Sequence, residues 1–467
     1  MLNIQLKPHR GSLKSGTAEA QKLFAMLKLI PDQEAAATRP PLALALVIDT
    51  SASMQAFADQ DAAKALAKNA APVGDVVDGG TYKGYNLNLP TLLDQAISAA
   101  HAMVDDARFA PTDRIALVHF DDEARVLLPL TPVSNRAGIH AAIELLRDYA
   151  GGTHMGKGLS AALGELGKLG PEIAKRAIVF TDGATFDEDD CIALAPDYAR
   201  VNIPIIGVGF GEEYNDELLK ELADKTLGKP YGIKDINDFA ALIGAEVAQS
   251  AREVVTNLRA TISTVKGVTI DSISRVAPSL NDVDTSQKPF LLGNIERGDF
   301  TVFIIEMTIS GLERVPARAR VAQVGLVATA PGLGNRVTEF PPQDLFVAFT
   351  PDEAATAQVD PEVISYVQQK NVSKMVGEAM RTVSINPEGA RRTLQIATGM
   401  TQRIGNGAAT QMLQGALDEL DKTGTISVAT NKTVSLGVRT KTVRTADMNA
   451  GGTGGLSPEE IRKLTGT

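Results

Sequence analysis

Seven apolar residues in a row, Leu42 to Ile48, run directly into Asp49-Thr50-Ser51-Ala52-Ser53. The run is well short of the roughly 18 apolar residues that a membrane span needs. An unbroken apolar stretch of this length suits a strand buried on both faces. Such strands belong to mostly parallel sheets covered by helices. In open sheets of this kind, ligands bind just beyond the carboxyl ends of the strands. One carboxylate and two hydroxyls at such an end are therefore where chemistry is expected.

The pattern that follows supports a parallel sheet. Leu93, Ala96, Ile97, Ala100, Met103 and Val104 recur at helical spacing. A strand is expected over Ile115 to Phe120, and a helix around Ile139, Ala142, Ile143 and Leu146. Strands follow at Ala177 to Phe180 and at Ile203 to Val208. Helices are expected near Asp216 and over 237–250. The stretch from Gln55 to Pro90, with Gly79, Gly80 and Gly84, reads as a long loop. Alternation of this kind predicts a doubly wound α/β domain.

On either side the period is two, the mark of half-buried strands. Leu2, Ile4 and Leu6 alternate with polar residues, as do Leu258, Ala260 and Ile262, and Phe303, Ile305 and Met307. These segments predict a β-sandwich with the α/β domain inserted in it, which is workable because an inserted domain's termini usually lie close together. From Asp360 the spacing is helical, broken at Asn386-Pro387 and Gly405-Asn406-Gly407, and predicts a helical bundle. The expected layout is 1–37 for the first strands of the sandwich and 38–252 for the α/β domain. The rest of the sandwich takes 253–352, the bundle 353–424, and a mobile tail 425–467. Within the tail, Ser457-Pro458-Glu459-Glu460 resembles a capped helix start.

Composition narrows the function. A chain of 467 residues is long enough for two or three domains. Its net charge of -10 argues against nucleic acid or an anionic membrane as the main partner. The one cysteine, Cys191, cannot form an intrachain disulfide and suits a reducing, cytoplasmic setting. The N-terminal residues lack the basic and apolar regions of a secretory signal.

Oxygen ligands of the kind in the Asp49 turn suit a hard divalent cation, Mg²⁺ or Mn²⁺. Two later segments read Gly151-Gly152-Thr153 and Phe180-Thr181-Asp182-Gly183. Helix capping alone would account for an Asp and two Ser, but not for Thr153 and Asp182.

Together these residues resemble the metal-ion-dependent adhesion site of von Willebrand factor type A domains. Asp49, Ser51 and Ser53 match its Asp-x-Ser-x-Ser motif, Thr153 its later threonine, and Asp182 its second aspartate. The resemblance covers roughly residues 38 to 250 and implies a Rossmann-like doubly wound fold. It implies that Ser51, Ser53 and Thr153 bind Mg²⁺ (or Mn²⁺ or Ca²⁺) directly, with Asp49 and Asp182 acting largely through water. It further implies that a protein partner's Asp or Glu completes the shell. Ala52 departs from the Gly common in relatives, at no cost in ligands.

Other segments carry less. Gly151 to Lys157 has phosphate-loop spacing, but Gly158 stands where Ser or Thr should hold Mg²⁺. Asp187-Glu188-Asp189-Asp190 reads as a solvated acidic loop, His154 as an ordinary loop residue, and His119 as core. The flanks are similar in outline to bacterial Ca-activated chloride channel homologues and to inter-alpha-trypsin inhibitor heavy chains. That likeness implies a non-enzymatic scaffold in an intracellular signalling or assembly complex. Partners would be a Ser/Thr kinase, a phosphatase or a phosphothreonine-binding protein reading Thr442 or Thr445 in the tail. The alternatives are a metal-dependent hydrolase and a co-factor of a MoxR-type AAA+ ATPase.

Overall fold

The computed structural model describes residues 2–31, 40–77, 81–85, 87–211, 213–233, 237–250, 252–310, 317–330 and 336–443. The chain divides into two compact units. One is Pro40–Ala251; the other joins Met1–Arg39 to Arg252–Thr467. Strands β1 (Leu2–Pro8), β2 (Ser12–Lys14) and β3 (Gln21–Pro31) begin the second of these.

The inserted unit opens with β4 (Leu42–Asp49), helix α1 (Gln60–Ala67) and a hairpin of β5 (Pro72–Val77) and β6 (Thr81–Tyr85). Then come α2 (Leu92–Val104), β7 (Arg114–Phe120), β8 (Ala124–Pro132), α3 (Arg136–Glu144) and α4 (Met155–Leu166). It closes with β9 (Ala174–Thr181), α5 (Glu188–Arg200), β10 (Ile205–Phe210), α6 (Asp216–Thr226), β11 (Lys229–Ile233) and α7 (Asn237–Ser250).

Six of these strands form one sheet, in the order β11-β10-β9-β4-β7-β8. All neighbours are parallel except β7 with β8. Every residue of β4 is buried, as a central strand covered on both faces must be. Leu42, Leu44, Leu46 and Ile48 share one core with residues of α2, α3 and α7. On the other side of β4, α4 packs closely. A Cβ added at Gly158 would lie 2.9 Å from Phe120 Cδ1 and 3.0 Å from Val47 Cγ1. Glycine at 158, which spoils a phosphate loop, is what lets α4 approach the sheet.

The chain leaves β4 towards β7 and later returns to β9 on the other side of β4. The strand order therefore reverses between β4 and β9. That crevice is where an open α/β sheet binds its ligand.

Three expectations are corrected here. The stretch 55–90 is no long loop, since it holds α1 and the β5–β6 hairpin. Its helical signal is short and its strands carry glycines, so periodicity hides both. Residues 187–190 are not a solvated loop. Asp187 is the N-cap position of α5, and Glu188, Asp189 and Asp190 fill its first turn, where acidic groups complement the helix dipole. Part of the expected tail, Val428–Thr440, is a helix capped by Ser427.

In the flanking unit the later elements are β12 (Glu253–Thr264), β13 (Val268–Ala277), β14 (Asn281–Asp282), β15 (Phe290–Glu296), β16 (Thr301–Ile309), β17 (Ala317–Ala330) and β18 (Arg336–Thr350). Helices α8 (Glu353–Ala357), α9 (Pro361–Thr382), α10 (Pro387–Arg403), α11 (Gly407–Thr423) and α12 (Val428–Thr440) follow. Two five-stranded sheets result, ordered β1-β3-β16-β13-β14 and β15-β12-β17-β18-β2. The start of α9 packs on the first sheet, with Val363, Tyr366 and Val367 against Phe24, Met26 and Ile304. The rest of α9 shares a second core with α10, α11 and α12, built on Val376, Leu394, Leu413 and Val434. The helices break where Pro387 and the glycines at 405 and 407 end the spacing.

Thr442, expected as a modifiable tail residue, donates its hydroxyl to the Pro278 carbonyl at 2.6 Å. Thr445 and residues 457–460 lie outside the described residues.

Candidate metal centre

Asp49 ends β4 and Thr181 ends β9. The two strands run in register, with Ile48 opposite Phe180, so Asp49 and the residues after Thr181 meet at the crevice. The Asp49 carboxylate is fully buried. Its Oδ1 accepts the Ser51 backbone N–H at 2.8 Å, and its Oδ2 accepts the Thr181 hydroxyl at 2.6 Å. Ser51 Oγ lies 3.0 Å from Ser53 Oγ, and Ser53 Oγ donates to Asp182 Oδ1 at 2.9 Å. A row of oxygens thus runs from Asp49 through Ser51 and Ser53 to Asp182.

The loop before α4 is tied to this row by its backbone. Ala52 N–H donates to the Gly151 carbonyl at 2.9 Å. The Thr153 carbonyl accepts Phe186 N–H at 2.9 Å and the Thr185 hydroxyl at 3.0 Å. His154 N–H donates to the Asp121 carbonyl at 2.9 Å. Thr153 itself is buried. A side chain at Gly151 would press on this seam, since a Cβ there would lie 2.7 Å from Asp122 Oδ2. The loop before α4 is therefore tied to the turns after β4, β7 and β9.

The electrostatics are those of a place short of positive charge. Burial, first, and the charge of Asp182, second, push the Asp49 pKa up to about 7. The hydrogen bonds from Ser51 and Thr181 pull the other way and do not prevail. Two carboxylates and two or three hydroxyls, with no nitrogen or sulfur among them, are a donor set for a hard cation. A cation would also relieve the like-charge contact. The residues present fit Mg²⁺, Mn²⁺ or Ca²⁺. Among the described residues, no group of three or more His, Cys, Asp or Glu is placed to hold a metal. A cation at this crevice would thus depend on the hydroxyls.

The structure joins four of the five expected residues in one row and places Thr153 in the adjoining loop; two supports were not expected from the sequence. Thr181 holds Asp49, and Thr185 holds the Thr153 loop through both the Thr153 carbonyl and the Met155 N–H. The signal for Thr181 was its place as the last residue of a strand adjoining β4. Nothing local marks Thr185. His119 is buried core, as expected, stacked on Tyr149 with ring centroids 3.6 Å apart. Its Nδ1 lies 3.1 Å from Thr50 Oγ1. Phe186 stands 77% exposed beside the loops, its ring 5.6 Å from that of His154.

A doubly wound sheet with its polar turn at the switch point defines a class of α/β ligand-binding domains. Residues 88–245 match the von Willebrand factor type A domain family, and the inserted unit is such a domain. The matched span includes Thr153 and Asp182 and begins after the Asp49 turn. A protein from Catenulispora acidiphila described as von Willebrand factor type A shares the fold over 95% of this chain and 97% of its own, with a TM-score of 0.73 and 19% identity. The ArnB paralog VWA2 of Sulfolobus acidocaldarius covers 95% of this chain and 99% of its own, with a TM-score of 0.60 and 16% identity. An uncharacterised Synechocystis protein is 29% identical over 138 residues. That match takes in 29% of this chain and 32% of the cyanobacterial protein, about a third of its length. As a family, type A domains are protein-interaction modules. No helix among the described residues is long and apolar enough to cross a membrane.

Proposed function

We propose that the type A unit holds a divalent cation at Asp49, Ser51, Ser53, Thr153 and Asp182 and through it grips an acidic residue of a protein partner. Mg²⁺ is the first choice, with Mn²⁺ or Ca²⁺ as substitutes. The observation that supports this reading is the hydrogen-bonded row Asp49, Ser51, Ser53, Asp182 at the switch point, with two carboxylates close enough for Asp182 to raise the Asp49 pKa. When bound, the metal supplies an electrophilic centre that favours an anion. The chain's own residues do the rest. Thr181 fixes the Asp49 carboxylate, so its charge is aimed at the row. The Gly151 and Thr153 carbonyls fix the neighbouring loops and hold the row's shape. Phe186, exposed at the rim, offers apolar contact to whatever sits there.

This is a binding role, not a catalytic one: a scaffold for an intracellular signalling or assembly complex. The test is capture from native lysate by wild type and by Asp182→Ala, each in Mg²⁺ and in EDTA. A partner retained only by wild type in Mg²⁺ supports the reading, and its identity separates a Ser/Thr kinase or phosphatase from a MoxR-type ATPase. The same partners in all four conditions would count against it.

A further inference from the structure

Away from the Asp49 turn, α2 and α3 bring two histidines together. His101 Nδ1 lies 2.6 Å from His140 Nδ1, with ring centroids 4.9 Å apart and planes 28° from parallel. Each ring is backed by a carboxylate on its outer nitrogen. His101 Nε2 meets Glu144 Oε1 at 2.7 Å, and His140 Nε2 meets Asp105 Oδ1 at 3.2 Å. Arg147 holds Glu144 at 2.9 Å and also pairs with Asp94, while Arg136 holds Asp105 at 3.2 Å. The start of α2 adjoins the Asp49 turn, since Leu92 N–H donates to the Ala56 carbonyl. His101 is nine residues further along, roughly 14 Å at the helical rise.

The protons on these rings are countable. A carboxylate accepts, so each Nε2 carries a proton that it donates. A short bond between the two Nδ1 atoms needs one proton more. Around the pair stand Asp94, Asp105 and Glu144 against Arg136 and Arg147, a surplus of one negative charge. Two imidazoles facing each other, each with a carboxylate behind it, reproduce the outer shell that orients metal-bound histidines.

We propose that His101 and His140 form a second metal site, specific for a borderline transition cation such as Zn²⁺. The metal takes the place of the shared proton, bonding to both Nδ1 atoms, with water in its remaining positions. The balance is simple: two metal–nitrogen bonds form, one nitrogen–proton bond breaks, and that proton leaves to solvent. Zn–N bonds of about 2.0–2.1 Å in tetrahedral geometry set the nitrogens roughly 3.3 Å apart. The rings therefore part by under an ångström. Both side chains are partly exposed, 28% and 29%, so entry from solvent is direct. Imidazole donors separate this site from the oxygen-only crevice, which prefers a hard cation.

The test is Zn²⁺ titration of the full chain by calorimetry, with excess Mg²⁺ present to occupy the Asp49 turn. Two buffers of different ionisation enthalpy count the released protons. Wild type and Asp182→Ala should each bind one Zn²⁺ and release about one proton. His101→Ala and His140→Ala should lose the binding, with melting curves confirming that both fold. Asp105→Asn and Glu144→Gln should weaken it by about tenfold. Cu²⁺ resonance spectra should show two imidazole nitrogens in wild type and fewer in either histidine variant. Zn²⁺ binding that survives both histidine substitutions, or no Zn²⁺ binding by wild type, would overturn the proposal.

Discussion

One buried carboxylate of the inserted unit, Asp49, has surroundings that differ from those of Glu306 in the flanking unit. In the flanking unit, Glu306 is half-buried and takes Lys22 Nζ and Lys370 Nζ, each at 3.1 Å. Burial alone would raise its pKa, but Lys370 and Lys22 outweigh burial and hold it below the usual range. Arg275, buried in the same unit, donates to Ser279 Oγ at 2.8 Å. The inserted unit does likewise at Glu246, where Lys229 at 2.7 Å and Tyr231 at 2.8 Å prevail over burial. Asp49 departs from this pattern. It is as buried as Glu246, yet the charge acting on it is that of Asp182, of the same sign. At Glu306 and Glu246 the cation is built in; at Asp49 a cation from solution would relieve the like-charge contact.

The contrast can be broken at its strongest point. Lys229→Ala leaves Glu246 buried without its main partner and should destabilise the inserted unit by about 3 kcal/mol, read by urea unfolding. A loss under 1 kcal/mol would mean that the pairing is not what stabilises Glu246. Asp49→Asn should act in the opposite sense. In EDTA it removes one of two repelling charges and should stabilise by about 1–2 kcal/mol, while abolishing any rise in Tm on adding Mg²⁺. A destabilised, still Mg²⁺-responsive variant would place Asp49 with the structural carboxylates.

The pH responses should also oppose each other. Asp49 has its folded pKa raised from 3.8 to about 7. The folded state then binds more protons than the unfolded one between those values, so in EDTA the stability of the inserted unit falls as pH rises from about 4 to 7. Mg²⁺ should flatten that slope. In the flanking unit His9 is fully buried and accepts Phe24 N–H at 3.1 Å. Burial, then Arg10, lowers its pKa from 6.5 to about 3. Here the unfolded state binds the extra proton, so stability falls as pH drops below about 6.5. Hydrogen exchange resolved by unit, at pH 5 and 7.5, distinguishes the two trends. Equal slopes would remove the contrast. The smallest effect expected is that of Thr181→Val, which deletes the 2.6 Å bond to Asp49 and should cost about 1 kcal/mol, with weaker Mg²⁺ binding.

What could be read from the sequence followed its strongest periodicities. β4 was legible because seven apolar residues allow little else, and the C-terminal helices because Pro387 and Gly405 to Gly407 punctuate them. The five candidate ligands could be named because Asp49, Ser51 and Ser53 match a family motif that also calls for a later Thr and Asp, which Thr153 and Asp182 supply. β8 was missed because its edge position leaves half its residues exposed and blurs the alternation. α5 was missed because four acidic residues at its start mask a helix whose buried residues are Cys191, Ala195 and Tyr198. The His101–His140 pair joins two helices 39 residues apart in sequence, and only the fold brings it together.

The central claim is that the Asp49 turn holds a hard cation through Asp182. Calorimetric titration of the full chain with Mg²⁺, for wild type, Asp182→Ala and His140→Ala, tests it most directly. The account predicts one Mg²⁺ site in wild type and in His140→Ala, and none in Asp182→Ala. Equal Mg²⁺ binding by wild type and Asp182→Ala would contradict it.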